Sequence, residues 1–159
     1  SHNLFSVTGE TGATPIPVYL SPEEAAALTV IAKDMVYLGK QNCDDIIISY
    51  LAIDISILEK DKATKKLASW GKFADLREIG PLIGGVDGSI LAYARGMMFW
   101  HSRNKFCSVC GAATIAIKGG HQRNCTKKGF NLPLAKRKLY TGSNSSRVIL
   151  LYVISISHV

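Results

Sequence analysis

The alternation of hydrophobic and polar residues divides the chain into a longer part that mixes strands with helices and a shorter part rich in cysteine and glycine. The strongest strand pattern is the β-branched run DDIIISYLAIDIS, and shorter strands are predicted from Val18 to Leu20 and in MVYLGK. A helix is predicted after Ser21, because serine suits an N-cap and Pro22 suits the first helical position. This pattern favours a small mixed α/β domain of the α+β class.

A second helix is predicted from about Ser89 to Arg103, with Asp87 as its N-cap. At about 100° per residue, several of its residues share one apolar arc that would pack on the sheet. They are Ile90, Leu91, Ala94, Met97, Met98 and His101. Because His101 lies inside this arc, we interpret it as a packed or hydrogen-bonded histidine rather than a metal ligand.

The segment KFCSVCGAATIAIKGGHQRNCTKKGF carries three of the four cysteines. Cys107 and Cys110 form a C-x2-C knuckle, a spacing that lets two thiolates hold one ion. The residues that follow predict a strand, a Gly-Gly turn and a second strand, which would return Cys125 to the knuckle. The pattern is typical of a zinc ribbon with Cys107, Cys110 and Cys125 as metal ligands.

A ribbon needs a fourth ligand two to five residues beyond Cys125, but TKKGF offers neither cysteine nor histidine, and Phe130 stands where a C-x4-C partner would fall. Water or a distal residue could complete the site. His121 fits poorly, since four strand residues span roughly 13 Å. The site could also be decayed, or an open catalytic zinc, although hydrolytic zinc chemistry generally uses a nearby carboxylate. No acidic residue follows Asp87.

The charges are distributed unevenly. Residues 1–87 carry twelve acidic and eight basic side chains, whereas Gly88 to Val159 carry eleven basic and no acidic ones. The second part therefore suits either a phosphate-bearing partner or a solvated basic face. The small number of cysteines and the lack of a leader pattern predict an intracellular protein, cytoplasmic by default, and leave the peroxisome and other organelles open. Since no apolar run reaches membrane-spanning length, no membrane partner is expected.

Several segments together resemble the NADH pyrophosphatase family of Nudix hydrolases: LREIGPL, LAYARGMMFWHSRNKFC, CSVCGAAT and GGHQRNC, with VYLGK and YLAIDIS upstream. The resemblance implies a family N-terminal domain at residues 1–103 and a zinc ribbon at 104–133. A divergent tail, 134–159, is similar to the first strand of a Nudix domain. It also implies that the three cysteines match three of the family's four zinc ligands, and that Phe130 departs from the fourth.

The Nudix signature G-x5-E-x7-R-E-U-x-E-E-x-G-U is absent from this sequence. Its carboxylates hold the divalent ions that bridge a pyrophosphate and activate water. We therefore expect the non-catalytic portion of an enzyme that hydrolyses NAD(H) to nicotinamide mononucleotide and AMP, present as a fragment, a splice form or a mis-joined gene model. The resemblance implies that the ligand is NAD(H) or NAD-capped RNA and that zinc is the structural metal. It also implies that Mg²⁺ or Mn²⁺ is a cofactor of the intact enzyme only, and that the chain forms a homodimer.

Two other functions fit the same residues. A stand-alone zinc ribbon could bind nucleic acid, with Phe106 and Phe130 stacking on bases beside the lysines and arginines of the basic part. Alternatively, the chain could be a non-enzymatic partner of full-length subunits. The C-terminal run RVILLYVISIS is expected to be a strand without a following partner, which suggests a truncated domain.

Overall fold

The computed structural model describes residues 2–7, 15–43, 46–58, 65, 67–129, 131–133 and 148–157. Helix α1 (Pro22–Thr29) begins where it was predicted. The Ser21 hydroxyl accepts a hydrogen bond from the Glu24 backbone N–H, and the Glu24 carboxylate accepts one from the Ser21 backbone N–H. This capping box satisfies two backbone donors at the helix end.

Ten strands form two sheets in the described residues. They are β1 (His2–Val7), β2 (Pro15–Pro17), β3 (Tyr19–Leu20), β4 (Asp34–Cys43), β5 (Ile46–Asp54), β6 (Lys72–Asp75), β7 (Thr114–Ile117), β8 (Gln122–Cys125), β9 (Asn131–Pro133) and β10 (Val148–Ser157). The larger sheet has the order β2-β1-β10-β5-β4, with β3 paired to β10 and β6 paired to β1. The smaller sheet has the order β7-β8-β9. The mixed α/β fold with a cysteine hairpin is confirmed.

Strand β10 lies inside the larger sheet. It runs antiparallel to β5 from Ile149 opposite Asp54 to Ser157 opposite Ile46, and it runs parallel to β1 and β3. The sequence predicts a strand without a following partner, and the structure pairs it with three strands that precede it in the chain. An apolar β-branched run is compatible with any neighbour in a sheet, so its sequence did not identify β5. The division of the chain at 103 and 133, and the likeness of the tail to a Nudix strand, stay predictions.

Helix α3 (Gly85–Arg103) covers one face of strand β4. Its buried residues Leu91, Ala94, Met97 and Met98 pack with Val36 and Ala52 in one hydrophobic cluster. The apolar arc predicted for this helix is confirmed, including the full burial of His101. No helix in the described part of the chain is both long and apolar enough to cross a membrane.

The start of α3 differs from the prediction. Gly84 is the N-cap, and Asp87 lies in the first turn rather than before it. The Asp87 carboxylate instead accepts a 2.6 Å hydrogen bond from the Tyr19 hydroxyl. Burial, together with this bond, raises the pKa of Tyr19 above its ordinary range. Asp87 therefore joins the helix to β3, a tertiary role that no local sequence pattern encodes.

The segment FADLREIGPL forms three elements. Strand β6 ends at Asp75, which caps the short helix α2 (Leu76–Ile79), and a 3₁₀ turn (Gly80–Leu82) follows. The Asp75 carboxylate accepts hydrogen bonds from the Arg77 side chain and lies 3.3 Å from the Arg95 guanidinium. The Arg77 contacts hold the pKa of Asp75 well below its usual range. Helix α3 is thus tied to β6 by a buried ion pair.

Candidate metal centre

The first knuckle is a tight turn from Cys107 to Gly111. The Gly111 N–H donates to the Cys107 carbonyl at 2.8 Å, and the Cys107 N–H donates to the Ala112 carbonyl at the same distance. Gly111 has a φ of 69°, a left-handed conformation that glycine adopts at little cost. This turn brings the Cys107 and Cys110 side chains to the same side.

The hairpin returns Cys125 to this knuckle, as predicted. Strands β7 and β8 pair so that Thr114 lies opposite Cys125. The Cys110 and Cys125 sulfurs are 3.4 Å apart, and the three sulfurs of Cys107, Cys110 and Cys125 lie within 4.8 Å of one another. Three thiols at this separation could hold one metal ion, and thiolate is a preferred ligand of zinc.

A second turn repeats the geometry of the first. The Gly129 N–H donates to the Cys125 carbonyl at 3.0 Å, and Gly129 has a φ of 65°. In the sequence, CTKKG at the second turn corresponds to CSVCG at the first. Exposed Lys128 therefore occupies the turn position that Cys110 occupies in the first knuckle. Phe130, the other position considered for a fourth ligand, lies outside the described residues.

The turn backbone favours the thiolate form of Cys125. Backbone N–H groups of Lys128 and Lys127 donate to its sulfur and, against the opposing effect of burial, bring the pKa of this thiol to about 7. The Ala112 N–H lowers the pKa of Cys110 in the same way, but hydrogen bonds with Cys125 and Cys107, together with burial, raise that pKa overall. A thiol that ionises near neutral pH is ready to ligate a metal without a large proton cost.

The glycine turn of the hairpin packs directly on strand β4. Gly120 has a φ of 89°, and a Cβ atom built there would lie 2.9 Å from Val36 Cγ2 and 3.0 Å from the Met35 carbonyl oxygen. The neighbouring Gly119 has a φ of 62° and approaches the Tyr37 side chain. A side chain at residue 120 would therefore push the ribbon off the sheet.

A buried polar network joins the ribbon to α3 and β4. The Arg123 guanidinium donates to the Thr114 hydroxyl and carbonyl oxygens at 2.8 Å, to His101 Nδ1 at 2.6 Å and to the Asp34 carboxylate at 3.3 Å. His101 Nε2 lies 2.8 Å from the Gly120 carbonyl oxygen. Since a carbonyl only accepts, Nε2 carries the proton and Nδ1 accepts from Arg123. His101 is thus a hydrogen-bonded histidine, as interpreted from the sequence.

His121 lies away from the three sulfurs. Its Nε2 donates to the Tyr37 carbonyl at 2.6 Å, and its Nδ1 is 3.4 Å from the Tyr93 hydroxyl. It is not part of the cysteine group. This residue connects the ribbon to β4 and α3, so the poor fit of His121 as a fourth ligand is consistent with its position.

Sequence reasoning missed the role of Arg123, which it assigned to the basic part of the chain. Arg95 and Arg123 are only 5% and 6% exposed, so neither contributes to a solvated basic face. The alternation in β8 contained the signal, because Arg123 and Cys125 share one face of a strand and Cys125 had to point inward. Lys136, Arg137, Lys138 and Arg147 lie outside the described residues.

Comparison with known proteins gives a partial similarity to NAD-capped RNA hydrolases. No family model matches the chain. A stretch of 42 residues, 26% of the chain, is 45% identical to the NAD-capped RNA hydrolase NUDT12 of Homo sapiens. The corresponding proteins of Macaca fascicularis and Pongo abelii are 43% identical over the same length. The similarity spans 9% of the length of these curated relatives.

This local similarity supports a relationship to the Nudix-related NAD hydrolases over about a quarter of the chain. It agrees with the resemblance to this group of hydrolases that the sequence segments suggested.

Proposed function

We propose that the chain is the non-catalytic portion of an NADH pyrophosphatase-type Nudix hydrolase, in which a zinc ribbon is fixed to an N-terminal α+β domain. The observation that carries the proposal is the 42-residue similarity to NAD-capped RNA hydrolases. The three convergent cysteine sulfurs support the ribbon assignment. In this proposal residues 1–103 form the N-terminal domain and residues 104–133 the ribbon.

Cys107, Cys110 and Cys125 are the proposed zinc ligands, with a solvent molecule as the fourth. Three thiolates bind zinc less tightly than the four of a closed structural site, because one coordination position stays with water. The role of the metal would be structural, since it would hold the two turns together at the end of the hairpin. A hydrolytic role would need a carboxylate base, and Asp34, a carboxylate that reaches the ribbon, is bound by Arg123.

Catalysis by this chain alone is not part of the proposal. Nudix chemistry needs several carboxylates that hold Mg²⁺ or Mn²⁺ beside the pyrophosphate. The described acidic side chains with structural partners include Glu24 in the capping box, Asp34 with Arg123, Asp75 with Arg77 and Asp87 with Tyr19. Mg²⁺ or Mn²⁺ would therefore serve only the intact enzyme.

The proposed ligands are NAD(H) and NAD-capped RNA, bound without turnover, and the proposed assembly is a homodimer. The ligands come from the family resemblance and from the activity named for the relatives, whereas the homodimer comes from the family resemblance alone. The basic residues that are exposed on the ribbon, Lys127 and Lys128 among them, would attract the phosphates.

A hydrolysis assay tests the proposal. The purified chain is incubated with NADH, or with NAD-capped RNA, in Mg²⁺ and in Mn²⁺, and AMP or decapped RNA is measured by chromatography. Full-length human NUDT12 is the positive control. We expect no product above the metal-only blank. Turnover that survives Cys107→Ser but disappears with Glu23→Gln or Asp44→Asn would show that the chain has its own catalytic site.

A second candidate function is nucleic-acid binding by the ribbon itself. The specific observation is Phe106, which is 67% exposed at the base of the knuckle on the same small unit as the exposed Lys127 and Lys128. An exposed aromatic ring beside cations suits base stacking and phosphate contact. Fluorescence anisotropy with uncapped single-stranded RNA separates this candidate from the first. Binding that needs Phe106 but no NAD cap would favour it, and the salt dependence would report the number of phosphate contacts.

A further inference from the structure

Two of the three ribbon thiols lie in direct contact. The Cys110 and Cys125 sulfurs are 3.4 Å apart, and both residues are free cysteines. Two sulfurs that share a tetrahedral zinc ion lie about 3.8 Å apart, because each Zn–S bond is about 2.3 Å long. The pair is therefore closer than two ligands of one ion, and it needs to approach by only about 1.4 Å to reach the length of a disulfide bond. Rotation of the two side chains about their Cα–Cβ bonds can supply a shift of this size.

A bond between these two sulfurs would join the two turns of the ribbon. Cys110 lies in the first turn, and Cys125 begins the second turn, which the Gly129 N–H closes. The pairing of Thr114 with Cys125 keeps the two turns side by side at one end of the hairpin. A disulfide here would close the loop 110–125, and closing a longer loop restricts the unfolded chain more strongly. The bridge would thus hold the two turns together, which is the role proposed above for the metal.

The neighbouring pair, Cys107 and Cys110, is a poorer candidate for a bridge. The Cys107 backbone is already bound within the turn, since its carbonyl accepts from Gly111 and its N–H donates to Ala112. A disulfide across this turn would add little restriction to the chain. Exposure also separates the thiols, because Cys107 and Cys125 are buried whereas Cys110 is partly exposed. A small oxidant would therefore reach the Cys110 sulfur first, with the Cys125 sulfur in contact behind it.

We propose that Cys110 and Cys125 form a disulfide when the chain reacts with a hydroperoxide, and that Cys107 stays a free thiol. The Cys110 sulfur attacks one peroxide oxygen and the O–O bond breaks, which gives a sulfenic acid on Cys110 and releases an alcohol, or water from hydrogen peroxide. The Cys125 sulfur then attacks the Cys110 sulfur. The S–S bond forms, the S–O bond breaks, and the hydroxyl leaves as water with the proton of the second thiol. The two thiols lose two electrons in total, and the peroxide gains them.

The bridge would remove two of the three proposed zinc ligands, so its formation should release zinc. This competition rests on the proposed function, because it needs the zinc site. The bridge itself rests only on the positions of the sulfurs.

The test is a disulfide map of the reduced, zinc-free chain after treatment with hydrogen peroxide. Cys43→Ser removes the thiol outside the ribbon, and the thiols that stay free are alkylated in denaturant before digestion with trypsin. Since trypsin cuts after lysine and arginine, the two knuckle cysteines fall in peptide 106–118 and the third falls in peptide 124–127. We expect mass spectrometry to find these two peptides linked, with the alkyl group on Cys107. A bridge within the knuckle would instead leave peptide 124–127 separate and alkylated, and would overturn the proposal.

Two matched substitutions test the choice of partner. Cys110→Ser should lower the yield of linked peptides about fivefold or more, because disulfide geometry is specific and the contact with Cys125 is lost. Cys107→Ser removes a thiol from the same turn but should keep the linked peptides. The proposal is wrong if the two substitutions lower the yield alike.

Oxidation in urea that unfolds the chain shows whether the fold selects the pair. In an unfolded chain the short loop between Cys107 and Cys110 closes more readily than the loop 110–125, so the knuckle bridge should dominate there. The same pairing in the folded and unfolded chains would contradict the proposal.

The zinc-loaded chain separates this inference from the proposed function. We expect zinc to slow the bridge, and we expect zinc to reach a metal-sensitive dye in step with the linked peptides. A bridge in a chain that binds no zinc would support this inference and contradict the zinc assignment. A zinc-binding chain whose zinc-free form gives no bridge would overturn this inference alone.

Discussion

Substitution of Gly120 by alanine tests how the ribbon is attached to the sheet. The new Cβ would lie 2.9 Å from Val36 Cγ2, 3.0 Å from the Met35 carbonyl oxygen and 3.1 Å from Val36 Cα. Two of these three atoms belong to the backbone near the start of β4, so the neighbours cannot move aside as a flexible side chain would. Overpacking of this kind costs about 1–3 kcal/mol. The φ of 89° adds strain of about 1–2 kcal/mol for a residue with a Cβ.

We therefore expect Gly120→Ala to lower the free energy of unfolding by about 2–5 kcal/mol, a large share of the stability of a typical domain. Gly129→Ala is the matched control. Gly129 has a φ of 65°, and a Cβ there would meet no atom within 4 Å, so its substitution carries the strain without the collision. The difference between the two losses of unfolding free energy measures the cost of the collision between a side chain at residue 120 and β4.

The assay is urea unfolding followed by tryptophan fluorescence, with both variants at the same zinc concentration. Trp100 is a suitable reporter, because it is only 8% exposed in α3 and its ring lies 4.8 Å from that of His101 in the ribbon contact. We expect the midpoint to fall with little change in slope, since the same surface is exposed on unfolding. If Gly120→Ala costs no more than Gly129→Ala, the close approach of the turn to β4 is refuted.

Three further predictions follow from the same contacts. Burial lowers the pKa of His101 below its ordinary 6.5, and the Asp34 carboxylate offsets only part of this effect. The unfolded chain therefore binds more protons than the folded chain. The stability contributed by neutral His101 is complete above pH 6.5 and falls as the pH drops below that value. Below pH 6.5, the unfolding free energy of His101→Gln should therefore depend less on pH than that of the parent chain. Asp75→Asn should cost about 3–5 kcal/mol in urea unfolding because it leaves Arg95 buried without its carboxylate, whereas Arg77→Ala, at a residue whose side chain is 55% exposed, should cost much less. Zinc should be substoichiometric after purification under reducing conditions and easily removed by a chelator. Lys128→Cys should make the bound zinc chelator-resistant, and Phe130→Cys tests the alternative position of the fourth ligand. A tight zinc site in the parent chain would contradict the three-ligand assignment.

The local features of the fold were readable from the sequence because local physics determines them. Ser21 and Glu24 form the capping box, and the glycines at both turns allow the hairpin that returns Cys125 to Cys107. His101 was placed correctly because its spacing along a helix matches that of Leu91, Ala94 and Met98.

The non-local features could not be read in the same way. Strand β10 finds its place beside β5 through pairing across about a hundred residues, and the apolar pattern of a strand does not specify its neighbour. Arg123 looked like one more surface cation, because its partner Asp34 is distant in sequence and belongs to β4. Asp87 was predicted to be the N-cap of the helix, because its partner Tyr19 lies on another element and the local sequence does not show that contact. In each case the deciding contact joins two segments that sequence spacing does not relate.

The metal centre is tested most directly by zinc K-edge X-ray absorption on the zinc-loaded chain. The account predicts three sulfur ligands at about 2.3 Å and one lighter oxygen or nitrogen ligand at about 2.0–2.2 Å, with the sulfur number falling in Cys107→Ser, Cys110→Ser and Cys125→Ser. A shell without sulfur, a shell of four sulfurs in the parent chain, or a spectrum that these three substitutions leave unchanged would contradict it.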